Sequence, residues 1–146
     1  SIIHYRLETD QEKRATRFPI LHRLHVWKWF GGRALCFAGF WINAYNALTI
    51  DLILRNYPIK SIKDIKDPWK QRLWKLVDIN YNLEEIEHNI LRKMDEPRIH
   101  FAINCASYSC PNLYNKAFTE DNVEETLTKL MKDFVNDRLK NKRGHL

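Results

Sequence analysis

The chain has 146 residues, a formal net charge of +6 at neutral pH, 45% apolar residues and 29% charged residues. These proportions suit one packed globular domain and exclude wholesale disorder; with only 4 Gly and 5 Pro, collagen-like and low-complexity chains are excluded too. The positive excess would suit an anionic partner, but no recognition motif stands beside it, so no nucleic-acid partner is expected.

Between Lys13 and Arg33 the sequence carries six Lys or Arg, two His and no acid. It shows neither a clean helical nor an alternating period, and Gly31-Gly32 breaks it. The longest apolar stretch, Ala34 to Ile50, is 17 residues long and contains Asn43, Asn46 and Thr49. A membrane span needs about 20 predominantly apolar residues, so a buried helix is predicted and no integral membrane span. No cleavable signal peptide is visible.

Residues 40–55, FWINAYNALTIDLILR, are apolar nearly all round, the pattern of a core helix. Asn43 and Asn46 fall on one face of it and are expected to be satisfied core amides. Tyr57-Pro58 ends the helix, because the residue before a proline disfavours helical dihedrals. Residues 58–69 read as a turn or short strand and a loop, and 69–77 as a short helix or strand. Asn82 caps a predicted helix from Leu83 to Lys93, with Leu83, Ile86, Ile90, Leu91 and Met94 on its apolar face. Glu87 sits among these residues, whereas His88 lies with Glu84 and Arg92 on the polar face. After Glu96-Pro97, Ile99, Phe101 and Ile103 alternate with Arg98, His100, Ala102 and Asn104, which predicts a half-buried strand over 99–104. A loop over 106–118 follows. Asp121 with Glu124 reads as a capping box opening a helix over 121–136, with Val123, Leu127, Leu130, Met131, Phe134 and Val135 as its stripe. The tail, 138–146, is basic.

Chemistry-bearing residue types converge between positions 87 and 110. A thiol hydrolase needs a nucleophilic sulfur, a base to take and return its proton, and a group that orients the base. Cys105 or Cys110, His100 and Glu87 supply that set, with His88 as the alternative base. In a straight strand His100 and Cys105 would face opposite sides, so the pairing requires the strand to end or bulge near Asn104. Cys110, just before Pro111, is placed to cap a short helix that would lower its thiol pKa. Each residue also has a structural reading. Glu87 would be a buried carboxylate paired with Arg98 or a backbone donor, His100 an ordinary strand residue, and Cys105 a small core hydrophobe. A zinc set of His100, Cys105, Cys110 and Glu87 and a Cys105–Cys110 disulfide remain alternatives. The three cysteines do not form a disulfide framework.

FWINAYNAL (40–48), YPIKSIKDI (57–65), LEEIEHNILR (83–92) and EPRIHFAINCASYSCP (96–111) resemble, in that order, the family catalogued as domain of unknown function 547. The resemblance spans residues 40–137. Bacterial members are often exported or envelope-associated, and plant relatives attach a similar domain to leucine-zipper segments. The family is similar to papain-like and transglutaminase-like thiol enzymes, and a Glu-His-Cys triad has been proposed for it. Carried onto this sequence, the carboxylate falls on Glu87, the base on His100 and the nucleophile on Cys105. Upstream of residue 40 the resemblance stops, since members usually enter the first helix through a charge-mixed helical segment.

The expectation is therefore a single α+β domain with a small antiparallel sheet packed against several helices. Residues 1–39 form an atypical basic segment, 40–137 the globular domain and 138–146 a basic tail. The expected function is a thiol-dependent hydrolase or transferase acting on amide or thioester-like bonds of a small-molecule or peptide substrate, with no cofactor and no metal. The alternative is a non-catalytic binding or scaffold module of the same fold. Export or envelope location is what the resemblance implies.

Overall fold

The computed structural model describes residues 32–76, 78–107 and 109–137. Of the 1–39 segment, residues 32–39 form the start of the first described helix; the expectations for residues 1–31 and for the tail from 138 onward lie outside the described residues. The described part is an α+β assembly of helices and one small antiparallel hairpin.

Helix α1, Gly32–Arg55, is the central element. It is long and apolar enough to cross a membrane over Leu35–Arg55, yet Trp41, Ile42, Tyr45, Asn46, Thr49 and Leu52 are buried within the protein. These positions follow the i, i+3, i+4, i+7 spacing of one face. The sequence is apolar nearly all round, but burial is confined to this side: Phe37, Phe40, Ile50 and Leu54 on the others are exposed. Gly39 lies where α1 meets the chain before the last helix, and a Cβ there would stand 3.2 Å from the Cβ of Phe118. This close approach favours glycine.

Residues 58–69 contain no strand. Ser61 caps a single 3-10 turn, Ile62–Asp64, by a reciprocal capping box. The sheet lies later, as strands β1, Trp74–Leu76, and β2, Ile79–Tyr81, paired antiparallel with Trp74 opposite Tyr81. It is fastened to α1 by aromatic and polar contacts. The ring of Tyr81 meets that of Trp41 edge to face at 5.1 Å. Trp74 Nε1 donates to Asp51 at 2.6 Å. That bond, and then Arg55, hold the Asp51 carboxyl below its ordinary pKa.

The Asn82 cap forms as the sequence predicts, accepting from the Glu85 N–H at 2.8 Å. The helix it opens is not uniform. One α turn, α2 (Leu83–Glu85), widens into a π turn, Ile86–Ile90, and tightens into a 3-10 turn, Leu91–Lys93. Leu83, Ile86, Ile90, Leu91 and Met94 are all buried.

The strand predicted over 99–104 is absent. Pro97–Phe101 is a 3-10 helix capped by Glu96, and the chain beyond Ala102 is irregular. The reason lies in which residues are buried: Ile99, Ala102 and Ile103. Their spacing of three and four matches a turn of helix, while Phe101 is only half-buried and His100 is exposed. Proline at the first helical position and the Glu96 side chain accepting from the Arg98 N–H start that turn.

Helix α3, Val123–Asn136, begins two residues later than expected, and the Asp121–Glu124 capping box does not form. Asn122 occupies the cap position, but its side chain turns back to the preceding loop, accepting from Thr119 N–H and donating to Ala117 C=O. Glu124 is drawn away by the guanidinium of Arg98 at 2.7 Å. Val123 and Leu127 are buried and Leu130, Met131 and Phe134 half-buried, but Val135 falls outside the stripe and is exposed.

Candidate functional site

One cavity of about 310 Å3 gathers Glu87, His100, Cys105 and Cys110. Tyr45, Phe101, Ile103 and Phe134 supply apolar and aromatic wall, and Ser109 and Pro111 lie on the cysteine loop. His88 does not line it; the π turn leaves that side chain exposed. Because 97–101 is a 3-10 turn, the odd separation of His100 and Cys105 does not put them on opposite sides of a sheet.

Glu87 sits on the π turn with its side chain about 20% exposed. Its partners are neither Arg98 nor a backbone group. The Tyr45 hydroxyl donates to one carboxylate oxygen at 3.2 Å, and Arg92 donates to the other at 3.0 Å. Burial, then the Glu87 charge, push the Tyr45 phenol well above its ordinary pKa, so it stays protonated and remains a donor. Within the described structure the carboxylate is thus engaged by Tyr45 and Arg92, while His100 stands on another wall of the same cavity.

Cys105 and Cys110 are joined by a disulfide, and the Cys105 N–H donates to the Cys110 sulfur at 3.3 Å. The helix that Cys110 was expected to cap is absent; the chain after it is irregular. The third cysteine, Cys36, is free and exposed on α1.

The cysteine loop is tied down by amides as well as by sulfur. Asn104 Oδ1 accepts from the Ala106 N–H at 2.7 Å, and Asn104 Nδ2 donates to the Pro111 carbonyl at 2.7 Å. Ala106 takes a left-handed φ of 59° inside that turn. Asn104 is itself anchored from α1. Asn46 Nδ2 donates to Ala102 C=O and Asn46 Oδ1 accepts from Asn104 N–H, each at 2.9 Å. One turn earlier, Asn43 holds both backbone groups of Phe118, at 2.8 and 2.9 Å. Both amides are therefore satisfied by backbone: Asn46 by groups that flank the lining residue Ile103, and Asn43 by Phe118, which does not line the cavity.

Two contributors were not singled out from the sequence, Tyr45 and Arg92. Tyr45 was findable, because Ile42, Tyr45, Asn46 and Thr49 share the α1 face that is buried. Arg92 follows Glu87 by five residues, a spacing that brings side chains together only across a π turn.

Among the described residues no group of three or more His, Cys, Asp or Glu is positioned to hold a metal. The zinc alternative fails on donor chemistry in this state. Both sulfurs are bonded to each other, and the Glu87 oxygens are engaged by Arg92 and Tyr45.

Compared with known proteins, residues 38–135 match the family model described as "Protein of unknown function, DUF547". No curated protein and no solved structure matches the chain.

Proposed function

We propose, from the premise that this chain belongs to the DUF547 family, that it is a thiol-dependent hydrolase or transferase acting on amide or thioester-like bonds. The observation that carries this reading is the single cavity lined by Cys105, His100 and Glu87. In the reduced protein the Cys105 thiol gives its proton to His100 and the thiolate attacks the acyl carbon. The leaving group departs with the proton from His100, and a covalent thioester on Cys105 remains. Water or a second nucleophile then gives its proton to His100 and attacks that thioester, freeing the thiolate. Glu87 stabilises the cation on His100, which requires the carboxylate to share its contacts with Tyr45 and Arg92. The backbone N–H of Cys105 receives the developing oxyanion once it is released from the Cys110 sulfur. This is the chemistry of papain-like and transglutaminase-like thiol enzymes. The exported or envelope location suggested by the family resemblance is one in which disulfides persist.

A second reading, a binding or scaffold module, draws support from the disulfide and from the engagement of Glu87 by Arg92. The test is iodoacetamide alkylation of the fully reduced protein across pH, read at each cysteine by mass spectrometry. An ordinary thiol titrates near about 8.5. The enzyme reading expects Cys105 to titrate clearly lower, His100→Ala or Glu87→Ala to raise that value, and Cys105→Ala to abolish turnover of the activated ester p-nitrophenyl acetate. A depressed value on Cys110 instead moves the nucleophile and keeps the class. Ordinary titration at both sites, indifferent to His100→Ala, leaves the binding module.

A further inference from the structure

We propose that Cys110 is a redox lock on this site, closing it as a disulfide and opening it when a small-molecule or protein thiol reduces the bond. The inference rests on the reading of Cys105 as the nucleophile.

Cys110 obstructs Cys105 twice. Its sulfur is bonded to the Cys105 sulfur, and the same atom accepts the Cys105 N–H at 3.3 Å. The oxidised pair therefore removes both the attacking atom and the nearest backbone donor for an oxyanion. Reduction frees the sulfur at once, and the N–H is released when the untethered Cys110 side chain turns to another rotamer. Both cysteines are only half-buried and line the open cavity, so a reductant has access to the bond.

What makes this a lock rather than a structural staple is that the loop has other ties. Asn104 spans it from the Ala106 N–H to the Pro111 carbonyl, and Asn46 fixes Asn104 to the buried face of α1. Cys110 N–H also donates to the Ser107 carbonyl at 3.0 Å. None of these bonds uses the sulfurs as partners. On reduction these described ties hold both ends of the loop, and Cys105 is presented to the cavity.

The step balances with two equivalents of thiol. A reductant thiolate attacks the Cys110 sulfur, the S–S bond breaks, and Cys105 leaves as a thiolate. A second reductant thiolate attacks the mixed disulfide, releasing the reductant as its own disulfide and Cys110 as a thiolate that takes up a proton.

The experiment uses the full chain in three forms: wild type treated with oxidised glutathione, wild type reduced with dithiothreitol, and Cys110→Ser without reductant. Each is probed with iodoacetamide and, separately, with p-nitrophenyl acetate, followed by mass spectrometry at Cys105. Reduction is expected to raise Cys105 labelling and acetylation about tenfold or more, and Cys110→Ser to match the reduced wild type. Cys110→Ala repeats the comparison, and circular dichroism of all forms reports whether the fold survives. The lock is overturned if glutathione-treated protein keeps the mass of the dithiol, or if folded Cys110 variants lose Cys105 reactivity. In either case, Cys105 acetylation in the reduced wild type would leave the hydrolase reading standing. A disulfide that opens and closes over a Cys105 that is never acetylated would instead remove the hydrolase reading, and the lock with it.

Discussion

Two polar clasps hold the described domain together, and they work by different physics. On the buried face of α1, Asn43 and Asn46 are neutral amides that take up backbone groups of Phe118, Ala102 and Asn104. Elsewhere, Arg98 reaches both Glu96 on its own turn and Glu124 and Thr128 on α3. The amides cost little to bury, because each satisfies donors and acceptors that would otherwise be left without water. The guanidinium gains charge-assisted bonds, but one carboxylate partner, Glu124, is largely exposed and its contribution is screened. Neutral clasps should thus be strong and indifferent to pH, and the charged clasp weaker and conditional.

The sharpest way to break this contrast is Asn46→Ala. It takes the partner from the buried Ala102 carbonyl and from the half-buried Asn104 N–H, and a loss of about 2 kcal/mol is expected in denaturant unfolding. The loss should be the same at pH 4 and pH 7, because no group involved titrates.

Arg98→Met comes next, with a loss of about 1 kcal/mol at pH 7 and less in high salt. Here pH does matter. Arg98 hydrogen bonds hold the Glu96 carboxyl below its ordinary range and do the same to Glu124. A depressed carboxylate stabilises the fold above its unfolded pKa, about 4.3. The contribution disappears as pH falls through the lower folded values. Wild type and Arg98→Met should therefore begin to converge as pH falls below about 4.3 and meet only below the depressed folded values. A difference that persists there would mean that the aliphatic stem, not the charge, is what Arg98 contributes.

Lys129→Ala sets the floor of the scale. The Lys129–Asp133 pair on α3 is exposed on both sides, and no resolvable change in the unfolding midpoint is expected. A clear loss at this position would show that exposed pairs matter here and weaken the distinction between the clasps.

Much of this architecture was legible in the chain itself. Periodicity placed the buried face of the 83–93 segment, the Asn82 cap and the inward set of Glu87, because local hydrogen bonding and one-sided burial leave their mark at short range. The two-residue amide pattern of Asn43 and Asn46 was visible as well, though not what the amides would hold. The 97–101 turn was misread because Ile99 and Ile103 satisfy both an alternating and a helical spacing. Only the burial of Ala102 rather than Phe101 separates the two. The capping box at Asp121 failed for a related reason: Glu124 had a stronger partner in Arg98, 26 residues away.

The sequence by itself determined the central helix, the apolar face of the 83–93 segment and the residue types around the cavity, since these depend on side chains a few positions apart. Only the tertiary structure decided which groups meet. That Glu87 is held by Tyr45, 42 residues earlier, and that Asn46 pins a backbone 56 and 58 residues away, are consequences of long-range packing. Whether the two sulfurs of Cys105 and Cys110 come within bonding reach was decided in this way as well. A separation of five residues permits either state, and it is the turn built on Asn104 that brings the two sulfurs together.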